Sequence, residues 1–175
     1  MLRFIYNLSN SSFVFALLIF PIFLASCSHP PSYEHFVDVA SYKEQGRFKY
    51  MLDMSDSLST YDISFYTGID CTEEDFEQMD DIQLDISLIS PSGRVYRETV
   101  YLLKETYSES NSFSKTYKVL YRSGLIPKEF GEWVMTVTLP QLDAHYGFYH
   151  NPEHIHNGIC KGLRGLGIIL NKEPI

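Results

Sequence analysis

Between positions 145 and 160 the chain gathers His145, His150, Glu153, His154, His156 and Cys160. Neutral imidazole is the commonest transition-metal ligand, and a His-x-His pair on an extended segment turns both rings to one side. His150, His154 and His156 are therefore a candidate metal set. Asn151-Pro152 and the surrounding aromatics argue for a solvated, irregular loop instead, and no second pair at structural-zinc spacing accompanies the histidines. A metal half-site and a solvated loop both fit these residues. A second chemistry belongs to a thiol. Cys27 closes the run Leu24-Ala25-Ser26-Cys27, where small residues suit the narrow subsites of a signal peptidase and the cysteine can carry a diacylglyceryl group.

Other reactive patterns are weak. No nucleophile elbow and no His-Glu-x-x-His occurs. Ser112-Phe-Ser-Lys115 matches Ser-x-x-Lys, but the Ser-Asp-Asn and Lys-Thr-Gly elements that accompany it in hydrolases are missing, so the match reads as chance. Gly162, Gly165 and Gly167 invert the spacing of a dinucleotide fingerprint and lead into a strand, where glycine marks a bulge or close backbone packing. No pair of carboxylates is set apart as acid and base. These absences lead to the expectation of a non-enzymatic protein with no cofactor.

The elements that hold these residues follow from composition and period. Phe13 to Leu24 is almost wholly apolar and is preceded by Arg3, the layout of a secretory signal over 1–26 that is too short for a comfortable span. Residues 27–32, with Pro30 and Pro31, read as a lipidated tether. Two or three acyl chains on Cys27 would hold the chain firmly at a membrane. The rest, 33–175, suits one domain with a real core. Its 22 acidic against 14 basic residues argue against nucleic acid and anionic surfaces as partners.

Val, Ile, Tyr, Phe and Thr recur in short runs between turn residues, which predicts an all-β antiparallel sandwich of seven or eight strands. The clearest strand is Ile82–Ile89, where Ile82, Leu84, Ile86 and Leu88 alternate with Gln83, Asp85 and Ser87. Ser90-Pro-Ser-Gly93 is a turn, and Arg94–Leu103 the return strand. Further strands are predicted at Phe36–Val39, Phe48–Met54, Tyr61–Tyr66, Tyr117–Arg122, Gly131–Leu139 and Leu163–Leu170. In the Trp133 strand both faces are partly apolar, so the inner one stays open. Thr72–Met79 is the one predicted helical turn, capped by Thr72. Tyr61, Phe65 and Tyr66 could fill a core or line a surface, and Tyr146, Phe148 and Tyr149 sit in the histidine loop. Cys71 and Cys160 are an even pair in an oxidising compartment. They either bridge, which would add about 4–5 kcal/mol in the chain-entropy model, or stay free.

Taken in order, these segments resemble the gliding-motility lipoproteins of the GldH type, found in Bacteroidetes. The parts that match are the lipobox at Cys27, Phe48–Asp53 running into Ser57-Leu-Ser-Thr-Tyr61-Asp-Ile-Ser-Phe65, the central hairpin Ile82–Leu102 with its Ser-Pro-Ser-Gly turn, Phe130-Gly-Glu-Trp-Val-Met-Thr-Val137, and Gly158–Leu170. The chain departs from that pattern in lacking an early tryptophan, in carrying Ile69–Asp81 in place of a Tyr-rich middle segment, and in the insertion-like His145–His156 loop. The resemblance implies a lipid-anchored, non-catalytic envelope component serving gliding and its linked secretion system. Palmitate-type acylation would sit on Cys27 alone, and the partners would be other envelope proteins. Ser28-His29-Pro30 lacks the acidic run of surface export, which points to the periplasmic face of the outer membrane. The alternative is an envelope lipoprotein that binds a small ligand or metal through His145–Cys160.

Overall fold

Alternating apolar residues along short segments leave each strand one wet and one dry face, and two sheets must close their dry faces together. The computed structural model describes residues 33–140 and 162–175, and these form two antiparallel sheets. The elements run β1 (Tyr33–Asp38), α1 (Val39–Gln45), β2 (Phe48–Met54), β3 (Ser59–Asp70), α2 (Glu73–Glu77), β4 (Ile82–Ile89), β5 (Val95–Leu102), a 3-10 turn (Lys104–Thr106), β6 (Tyr107–Asn111), β7 (Ser114–Leu125), β8 (Gly131–Thr138) and β9 (Gly165–Pro174). The first sheet has the order β1-β9-β3-β7-β6 and the second β2-β8-β4-β5. Among the described strands only β4–β5 and β6–β7 are hairpins within a sheet. Every other connection between successive strands carries the chain from one layer to the other. The all-β sandwich is thus present, with nine strands among the described residues.

The predicted hairpin is there in register, from Ile82 opposite Leu102 to Ile89 opposite Val95. Its turn closes through Gly93 N donating to Ser90 O at 2.8 Å, with Gly93 at φ +84°. In β8 the inner face is Trp133, Met135 and Val137. Val134, Thr136 and Thr138 are half-buried on the other. The Thr72 hydroxyl accepts from Asp75 N at 3.1 Å and so caps α2. Two elements depart from expectation. Val39–Gln45 is a helix, capped by Asp38 at its start and ended by Gly46 in the left-handed region at φ +66°. β6, Tyr-Ser-Glu-Ser-Asn, is exposed throughout, so it carries no alternation to read.

One core fills the gap. Phe48, Tyr50 and Leu52 from β2 and Trp133, Met135 and Val137 from β8 meet Tyr61, Ile63 and Phe65 from β3 and Leu166, Ile168 and Leu170 from β9. This core lies wholly within the compact unit Pro31–Ile175. Buried tyrosines stitch the layers. Tyr50 in one sheet donates to Leu166 O in the other at 2.7 Å, and Tyr117 donates to Lys104 O at 2.8 Å. The glycines of β9 serve close packing. A Cβ at Gly165 would stand 2.2 Å from Val37 O, and one at Gly167 would stand 2.2 Å from the Tyr66 ring. Tyr66 and Phe36, with ring centroids 5.7 Å apart, therefore lie across a strand that has no side chains there to meet them.

Candidate functional site

The connection from β7 to β8 crosses one end of the sandwich as Leu125-Ile126-Pro127-Lys128-Glu129-Phe130. Leu125 and Ile126 are apolar, and Pro127 removes a backbone donor, so the segment cannot join either sheet and instead covers the gap between them. Beneath it lies a cavity of about 200 Å³. Its inner wall is Met54 at the end of β2, Ile63 in β3, Leu88 near the end of β4 and Trp133 in β8. Leu125, Ile126 and Pro127 form the outer wall. Buried Tyr121 and the exposed residues Tyr96, Arg122 and Lys128 complete the lining.

The carboxylate of Glu129 holds this segment in place. Its Oε2 accepts from Ser90 Oγ and from Ser92 N, both at 3.0 Å, on the β4–β5 turn. Arg94 Nε lies 3.7 Å from Oε1. The Ser92 hydroxyl and amide, with Ser90 and Arg94, hold the Glu129 carboxyl below its ordinary value against the opposing effect of burial. Glu129 O also accepts from Trp133 Nε1 at 2.9 Å, which fixes the indole in the cavity wall, where it tilts against Tyr96 at 5.8 Å.

A second latch lies across the sheets. Tyr121 on β7 and Arg122 beside it both donate to the Glu98 carboxylate on β5. Burial, then the Glu98 charge, pushes the Tyr121 phenol well above its ordinary value. The Arg122 guanidinium sits 4.6 Å over the Tyr121 ring. Arg122 is thus neutralised by Glu98. Lys128 is exposed and has no hydrogen bond or ion pair among the described residues. Among the described residues the arrangement is an apolar, half-open chamber whose lining includes one unpaired ammonium, that of Lys128.

The residues singled out from sequence fall elsewhere. Cys27, the histidines His145, His150, His154 and His156, the aromatics Tyr146, Phe148 and Tyr149, and Cys160 lie outside the described residues. Cys71 is half-buried, has no disulfide partner among the described residues, and has its thiol pushed up by burial. No group of three metal-ligating side chains occurs among the described residues. Tyr61 and Phe65 are core residues, and Tyr66 packs on Gly167. The Ser-x-x-Lys pattern dissolves. Ser112 is exposed in the β6–β7 turn, while Lys115 points inward on β7 and donates to Glu73 at 2.6 Å and to Ser110 at 2.7 Å. Its ammonium also lies 4.8 Å from the Phe76 ring centroid.

Sequence reading did not find the cavity, because its walls come from five strands and one loop. One signal was present: an apolar triplet followed by lysine, Leu125-Ile-Pro-Lys128, beyond the predicted strand Tyr117–Arg122. Among the described residues no helix is long and apolar enough to cross a membrane. No protein-family model, curated protein or solved structure matches the chain.

Proposed function

We propose that the protein is a lipid-anchored, non-enzymatic component of the cell envelope that serves the gliding machinery and its linked secretion system by contact with other envelope proteins. The observation that carries this reading is the distance in sequence between the lipobox and the fold. Only Ser28 to Ser32 separate Cys27 from the first residue of β1. A chain that short reaches at most about 20 Å, so acylation of Cys27 would hold the sandwich against the bilayer. Confinement there raises the effective concentration of any neighbouring partner.

One structural feature and one sequence pattern support a contact role. β5 is an outer strand of its sheet, with Val95, Tyr96 and Tyr101 exposed, and its backbone edge, which no other strand pairs among the described residues, is the kind of surface to which an extended partner segment adds. The lipobox, the central hairpin and the Trp133 strand follow the order of the GldH-type pattern.

The test is replacement of Cys27 by Ala in the native host. The variant should leave the membrane fraction and lose metabolic labelling with an acyl-chain probe. Crosslinking followed by mass spectrometry should recover gliding or secretion components with the acylated protein and not with the variant. Unchanged fractionation with no lipid on the mature terminus would remove the anchor, and with it the proposal.

A further inference from the structure

We propose that the chamber beneath Leu125–Phe130 binds a single alkyl chain that ends in an anionic head. Three observations carry this. The walls are apolar, so water inside finds few partners and gains little by staying. The volume of about 200 Å³ accepts several methylene groups, each contributing about 0.8 kcal/mol on burial. Two cations, Arg122 and Lys128, stand in the lining, and among the described residues only the first has an anionic partner. Arg122 is held by Glu98, and Arg94 stands beside Glu129. Lys128, the other cation of the lining, has no hydrogen bond or ion pair among the described residues. A chain entering tail-first against Met54, Ile63 and Trp133 leaves its head beside the Lys128 ammonium.

A neutral chain would leave that ammonium unused, and a cationic head would meet it as a like charge. The chemistry is shared by a free alkyl carboxylate and by the chain of an anionic single-chain phospholipid. The proposal is independent of the envelope role above, since it concerns the sandwich alone.

Trp133 is the only tryptophan in the chain and forms part of the wall, so its fluorescence reports occupancy directly. The protein is titrated with decanoate, 1-decanol and a lyso-phosphatidylglycerol, each below its micelle concentration or solubility limit. Decanoate or the lysolipid should give a saturable change, and the tighter of the two names the source. Lys128→Gln should weaken the anionic ligands about fivefold and leave decanol unchanged. Leu88→Phe, which adds bulk at the half-buried wall, should abolish binding of all three while its thermal melt stays close to the parent's. A flat titration with every ligand would overturn the proposal. Equal loss of decanoate and decanol in Lys128→Gln would overturn the assignment of the head.

Discussion

Tyr50 shows how this sandwich solves the problem of large aromatic residues in a dry core. The ring fills the space between the sheets, and the hydroxyl finds Leu166 O on the opposite layer at 2.7 Å. Burial raises its phenol far above the ordinary value, which favours the protonated, donating form. Tyr50→Phe should keep the packing and lose that bond, a cost of about 1–2 kcal/mol measured from the denaturant midpoint. Period two placed Tyr50 on a face, but its acceptor is 116 residues away and nothing local announced it. Lys115 is the opposite case. Its charge predicts exposure, yet it lies on the inner face of β7, because Glu73 and Ser110 supply partners and the Phe76 and Tyr107 rings cover it.

At the scale of elements, caps explain most of what was legible. Thr72 with three acidic residues behind it specifies the start of α2 by local bonds alone. That helix carries Glu73 to Lys115 and sets Phe76 into the core. Thr72→Ala should cost about 1 kcal/mol, read as a lower melting midpoint with an unchanged strand signature by circular dichroism. The Asp38–Gly46 frame around α1 is the same kind of signal and could have been read in advance. β6 could not. An outer strand with both faces in solvent needs no apolar residues, so its pairing with β7 is decided by the hairpin and not by its own composition. The predicted strands at Tyr61–Tyr66 and Tyr117–Arg122 are each twelve residues long in the structure, because ladder bonds between β3 and β7 continue past the apolar core.

For the whole molecule, acid sensitivity follows from carboxylates tied to partners that the fold brings near. Asp56 accepts from Lys172, Leu58 N and the Ser59 hydroxyl, and its pKa falls from 3.8 to about 2. Asp70 is lowered by Arg164, and Glu129 by the β4–β5 turn. A carboxyl whose folded value lies below its unfolded one stabilises the fold above the unfolded value and loses that stabilisation as pH falls through the folded value. Stability should therefore hold down to about pH 4 and fall between pH 4 and 2. Asp56→Asn should flatten part of that fall in urea titrations taken across the range, and 1 M salt should shrink the difference, since these pairs are exposed.

The residues by themselves determined the fold class, the central hairpin and the Thr72 cap. Each rests on contacts within a few positions, or on a period that survives without knowledge of the partner. Tertiary structure alone decided which face of β8 is dry, that Lys115 turns inward, and that a chamber opens beneath Leu125–Phe130. Those outcomes depend on which strands lie opposite one another across the two sheets. The chain order Met54, Ile63, Leu88, Trp133 contains no trace of their meeting in one wall.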